Sequence, residues 1–130
     1  PRSTLFPYTT LFRSLLKGRP AQLIKEGAYR RFYMHRTGHW LGLDTHDVGD
    51  YQVDGHSRAL EAGMVLTIEP GLYVIDMLLD NLRGTPAENH VNWRTVDWLR
   101  PFGGVRIEDD IRVLPDGAEN LTREAFANAS

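Results

Sequence analysis

The sequence predicts a mixed chain, one helix followed by short strands, and three features carry that reading. Pro20 followed by Ala21–Glu26 has the form of a helix start, with proline early and good helix formers after it. Met64–Ile68 is an apolar run bounded by a turn before it and by Pro70-Gly71 after it, the form of a strand. Val105–Leu114 alternates between apolar and charged residues with a period of two. A chain of 130 residues is the size of one domain and can bury a modest core.

The elements follow in order. The helix that begins at Pro20 closes at Gly27. Phe32-Tyr33-Met34 is a short apolar run of strand type. His35 to Gly49 is rich in glycine and histidine without a regular period, and reads as a loop lining something. Glu61-Ala62-Gly63 is a turn into the strand Met64–Ile68, which ends at Glu69. Leu72–Met77 is the next strand. Asp80–Pro101 is polar, carries Trp93 and Trp98, and reads as a long surface insertion. Val105–Leu114 forms the last strand, closed by the Pro115-Asp116-Gly117 turn, and the tail Ala125–Ser130 is expected to fray. Asn120-Leu121-Thr122 has the form of a glycosylation sequon but, with no secretory signal, reads as a surface turn.

Pro1–Ser14 stands apart. It repeats Thr-Leu-Phe, shows neither strand alternation nor a helical stripe, and lacks the basic start and apolar stretch of a secretory signal. Thr4–Ser14 looks like a translated sequencing-library adapter. The expected division is therefore 1–14 as a non-native leader and 15–130 as the domain.

Composition narrows the function. With 15 basic and 17 acidic residues the formal net charge is -2, and no basic face favours nucleic acid. Apolar runs extend for a few residues only, far short of the roughly 20 needed to span a membrane. There are no cysteines, so disulfides and thiolate ligands are excluded, and any metal must be held by histidine and carboxylate. This fits a reducing compartment, and a cytoplasmic location is expected.

Three clusters carry chemistry: His35, His39 and His46; then Glu69; then Arg106 and Glu108. His35 and His39 are four apart, as in a helical zinc signature, but that signature needs Glu after the first His and Arg36 stands there. Gly38 and Gly42 also weaken a helix. Surface or core-satisfied histidines are the competing reading. Glu69 ends an apolar strand ahead of a proline, where a carboxylate is expected to be at least partly buried, and a buried carboxylate is costly unless paired or bound to metal. A solvated strand-end glutamate is the alternative. In the last strand Arg106, Glu108, Asp110 and Arg112 fall on one face, either a solvated row or one in which the Arg106 guanidinium steers Glu108. On their own these clusters point to a His/carboxylate metal site and no further.

Taken together, FYMHRTGHWLGLDTHDVGDY, LEAGMVLTIEPGLYV and GGVRIEDDIRVLPDGAENLT resemble the C-terminal half of the Xaa-Pro aminopeptidases (aminopeptidase P), and much of the pattern is shared with the prolidases. The resemblance runs from about Leu15 to Thr122. It implies the C-terminal portion of a pita-bread α+β fold, a curved antiparallel sheet with flanking helices, and a site for two divalent metal ions, commonly Mn²⁺. By resemblance His39, Glu69 and Glu108 would be metal ligands, with Glu108 bridging both ions and Glu69 also the general base. His35 and His46 would hydrogen-bond the peptide and stabilise the tetrahedral intermediate, Arg106 would orient carboxylates, and Tyr73 would face the substrate pocket. Carboxylate oxygens with one imidazole suit Mn²⁺, and a bound metal lowers the pKa of water from about 16 toward about 7.

The implied substrate is a peptide with proline at the second position, from which the N-terminal residue is removed. The full-length parent would be a homo-oligomer, without nucleic-acid or membrane partners. Two rivals share the pattern: a prolidase-type dipeptidase, and a non-catalytic pita-bread module that binds peptides. Methionine aminopeptidases fit less well, because Asp109 stands where that family would carry a histidine. The family also draws two aspartate ligands and a further pocket histidine from the half preceding His35, and Leu15–Met34 offers only Glu26 as an acid. The chain alone is therefore expected to bind metal weakly, to be inactive or nearly so, and to expose strand edges and apolar faces.

Overall fold

The computed structural model describes residues 14–129. The expectation for the leader falls outside them, apart from Ser14, whose carbonyl accepts from Asn92 Nδ2 at 2.8 Å. In chain order the elements are α1 (Pro20–Lys25), β1 (Gln52–Val53), β2 (His56–Ser57), β3 (Val65–Ile68), β4 (Gly71–Tyr73), α2 (Asp76–Asp80), α3 (Trp93–Leu99), β5 (Gly104–Arg106), β6 (Asp109–Leu114), β7 (Gly117–Asn120) and α4 (Leu121–Asn128). All strand pairs are antiparallel, and the mixture of helix and antiparallel sheet matches the α+β expectation.

The chain divides into two compact units, one of residues up to His35 with Gly71–Arg106, the other of Arg36–Pro70 with Ile107–Ser130. The first unit carries the apolar core. Helix α1 starts with proline at its first turn and stops before Gly27, whose φ of 67° is the left-handed geometry that glycine adopts without strain. A 3₁₀ turn over Ala28–Arg31 then delivers Phe32 into the interior. Leu15, Leu16, Leu23, Phe32, Leu79, Leu82, Val91 and Val96 form one buried cluster. β4 pairs with β5, Leu72 facing Val105.

The second unit is built on the sheet β3–β6–β7, with Leu66 opposite Ile111 and Ile111 opposite Asn120. Residues 37–41 run along the other edge of β3. Leu41 N–H donates to Val65, Thr67 N–H to His39 and Glu69 N–H to Thr37, each through a backbone carbonyl. β1 and β2 form a hairpin whose turn carries Asp54 and Gly55 at positive φ. Asn120 is the N-cap of α4, its Oδ1 accepting from Arg123 N–H, so the sequon asparagine is a helix cap rather than a plain surface turn.

Five further sequence expectations change. Phe32–Met34 is not a strand; Phe32 and Tyr33 are buried behind a 3₁₀ turn. The strand expected over Leu72–Met77 is only Gly71–Tyr73, and Asp76–Asp80 is helical, because Asp76 favours a first helical turn and Leu78-Leu79 turn one side inward. Asp80–Pro101 is no surface insertion: it contains α3 and supplies Leu82, Val91 and Val96 to the core. The tail is helical through Asn128.

The strand expected over Val105–Leu114 is two strands, interrupted at Ile107-Glu108. Pro70 has no N–H to offer a ladder, and β3 gives way to β4 there. The facing chain breaks at the matching point, where Ile107 N–H donates to the Pro70 carbonyl at 3.1 Å. That break removes the continuous strand on which the shared face of Arg106 and Glu108 depended.

Candidate metal centre

His39 reaches its place because residues 37–41 are laid on the edge of β3. A side chain at Gly38 would prevent this: a Cβ there would fall 1.9 Å from the Thr67 carbonyl oxygen. The period of two along β3 sends Thr67 and Glu69 to one face and Leu66 and Ile68 to the other. Thr67 and Glu69 are the buried polar residues of the described chain, Glu69 at 7% exposure, which fulfils the expectation of a buried carboxylate. A cleft of about 820 Å³ beside β3 is lined by His39 as well as by Trp40, Tyr51, Arg58, Leu66 and Ile68.

The orientation of the His39 ring follows from one contact. Nδ1 lies 2.9 Å from the Trp40 carbonyl, which can only accept, so Nδ1 carries the proton. In the neutral ring Nε2 is then left with its lone pair, 3.4 Å from Glu69 Oε1. A proton between these two electron-rich atoms, on either group, or a cation in its place relieves their repulsion. Glu108, exposed, completes the group: one ligand atom each from His39, Glu69 and Glu108 lie within 4.8 Å of one another. A hard divalent cation fits this set of one imidazole nitrogen and two carboxylate oxygens, and a histidine that donates its other ring N–H to a backbone carbonyl is the usual arrangement of a metal ligand.

His46 joins the same unit, its ring 4.1 Å from that of His39 between centroids. The remaining expected residues gather in the first unit. The Tyr73 hydroxyl accepts from Arg106 Nε at 2.7 Å and lies 2.9 Å from His35 Nε2. His35 also meets the Tyr33 ring edge-on. Arg106 thus has a phenol as one partner, a contact that sequence spacing did not suggest.

Thr67 was missed. Its Oγ1 accepts from His39 N–H at 3.1 Å and donates to Glu69 Oε1 at 3.3 Å. The signal was available, since a hydroxyl residue amid the apolar β3, two before the glutamate, must share that glutamate's face. Trp40 was missed as well, because a backbone carbonyl leaves no mark in a sequence.

The antiparallel fold and the His/carboxylate cluster define a chain able to hold a metal ion, and comparison with known proteins specifies it. The model of metallopeptidase family M24 matches residues 15–115, and the chain belongs to that family of divalent-metal peptidases. Among curated proteins, Xaa-Pro dipeptidase of Shewanella woodyi is 43% identical over 129 residues, covering 88% of this chain and 29% of the relative. Xaa-Pro dipeptidase of Stenotrophomonas maltophilia is 40% identical over 131 residues, covering 89% and 30%. Among solved structures, Pseudomonas aeruginosa aminopeptidase PepP superposes with a TM-score of 0.67 at 41% identity, over 92% of this chain and 24% of that one. Aminopeptidase P from E. coli with the inhibitor Pro-Leu gives 0.63 at 43% identity, over 89% and 23%. The fold is accordingly the C-terminal portion of the pita-bread architecture, and this chain spans less than a third of the relatives it matches. No helix among the described residues is long and apolar enough to cross a membrane.

Proposed function

We propose that this chain carries the C-terminal part of the catalytic site of a metal-dependent Xaa-Pro aminopeptidase, which removes the first residue of peptides with proline second. The observation that carries the reading is the His39 ring, fixed by the Trp40 carbonyl so that Nε2 faces the buried Glu69 carboxylate. In this reading His39, Glu69 and Glu108 hold the divalent ions, Mn²⁺ by the hardness of the donors. When bound, the ions supply Lewis acidity that readies water for attack on a peptide carbonyl.

The chain's own residues do the rest. A Glu69 carboxylate oxygen takes the proton of the attacking water. His35 and His46 hydrogen-bond the peptide and meet the negative charge that develops on the carbonyl oxygen. Arg106, anchored on the Tyr73 hydroxyl, positions its neighbours rather than reacting. Without the two aspartates that the family supplies from upstream, this chain takes up metal weakly and turns over little. The parent is read as a cytoplasmic homo-oligomer.

Support for the aminopeptidase comes from the solved relatives. Pro-Leu, the inhibitor held by the E. coli enzyme, is what an Xaa-Pro-Leu peptide becomes once its first residue is gone. A second reading, a dipeptidase specific for Xaa-Pro, is favoured by the names of the curated relatives. The full-length parent separates them. An aminopeptidase cleaves Gly-Pro-Leu well and Gly-Pro poorly, whereas a dipeptidase shows the reverse. In the same parent His39→Ala and Glu108→Ala each abolish turnover and lower bound metal, and normal turnover in either variant overturns the ligand set.

A further inference from the structure

Glu69 and His39 come from separate stretches of chain, and both touch one buried hydroxyl. Thr67, 1% exposed, lies between them in hydrogen bonding. The His39 N–H can only donate, so it occupies a lone pair of Thr67 Oγ1, 3.1 Å away. The hydroxyl proton is then directed to Glu69 Oε1 at 3.3 Å, the same oxygen that lies 3.4 Å from His39 Nε2. The Thr67 N–H meanwhile donates to the His39 carbonyl at 2.9 Å. Gly38 permits this approach, because any Cβ there would strike the Thr67 carbonyl.

We propose that Thr67 is a positioning residue of the cation site, its hydroxyl holding the Glu69 carboxylate and seating the His39 backbone at once. The proposal rests on the reading of His39, Glu69 and Glu108 as ligands. Its logic is that of outer-shell partners generally: a ligand atom aimed before the ion arrives does not lose rotamer freedom on binding. Losing such a partner typically weakens metal binding by about 10–100-fold. Valine matches threonine in shape and suits a strand, so Thr67→Val deletes the hydroxyl with little other change.

The test uses the 130-residue chain itself. Amide exchange is followed without metal, and Mn²⁺ affinity is read from the spin-resonance signal of the free ion. In T67V the His39 amide exchanges faster while the Leu41 and Glu69 amides, held by backbone carbonyls, keep their protection; Mn²⁺ affinity falls by about 10–100-fold. T67S restores both. If T67V leaves His39 protected and Mn²⁺ affinity unchanged, the role of Thr67 is overturned while the ligand reading stands. If His39→Ala and Glu108→Ala leave the Mn²⁺ affinity of the chain unchanged although the His39 amide responds to T67V, the ligand reading fails and takes the proposal with it. In the wild-type chain the Thr67 hydroxyl proton exchanges slowly enough to be seen by NMR next to the Glu69 side chain; its absence there overturns the proposal however T67V folds.

Discussion

The two units of this chain have opposite interiors. In the first, the buried side chains among the described residues are hydrophobic, from Leu15 and Phe32 to Val96. In the second, the buried residues are Thr67 and Glu69, both polar, while Leu43, Val48 and Leu60 are exposed. One interior is held by the removal of apolar surface from water. The other encloses a carboxylate, which stays ionised in such a place only with a compensating charge. A protein that needed only to fold would have filled both with leucine. Burying that carboxylate costs stability, and a trade of stability for binding is struck at many functional sites.

The contrast breaks most readily at Phe32. It is fully buried and packs among Leu23, Leu79 and Val96 in one cluster. Phe32→Ala is expected to cost about 3–5 kcal/mol, from lost transfer free energy and the cavity left behind. Urea unfolding followed by amide exchange should show protection lost through α1, α2 and α3. A cost below about 1 kcal/mol, the range of surface substitutions, would mean that the first unit does not depend on its apolar core.

A smaller effect sharpens the comparison from the other side. If the second unit is organised for a cation, adding Mn²⁺ at about 100 times its Kd should stabilise it by about 2.7 kcal/mol. Exchange should slow at residues 37–41 and 65–69 and remain unchanged at Leu79 and Val96. Glu69→Gln should remove the effect of Mn²⁺ and leave the metal-free chain at least as stable, because a neutral amide is cheaper to bury than a carboxylate. Retention of the Mn²⁺ effect in Glu69→Gln would show that the carboxylate does not belong to the cation site.

The two interiors were also unequally legible. Strand β3 and its terminal glutamate were visible because a strand's period of two and a proline breaker are local signals. The His39, Glu69 and Glu108 group was visible only through the order of separated motifs, since no spacing along the chain tells which residues meet across a sheet. Asp80–Pro101 was misread because its core contacts are Leu82, Val91 and Val96 among polar neighbours, too sparse to form a stripe. The break at Ile107-Glu108 was hidden because its cause, Pro70, lies on the partner strand rather than in the alternating run. The Trp40 carbonyl that orients His39 is invisible in principle, because every residue has one.

The smallest effect concerns charge at the rim of the first unit. The Arg83 guanidinium lies 4.0 Å from the centre of the Trp93 ring and 3.7 Å from an Asp97 oxygen. Its side chain is 46% exposed, so solvent screens the ion pair and the ring contact supplies most of any gain. Arg83→Ala is expected to cost about 0.5–1 kcal/mol, with a change in Trp93 fluorescence and unaltered protection at Phe32 and Val96. High salt should narrow the gap between the two proteins only slightly, because a cation over a ring is screened less than an exposed ion pair. Should Arg83→Ala cost as much as Phe32→Ala, the first unit would owe its stability to its charged rim, and the opposition between an apolar and a polar interior would fail.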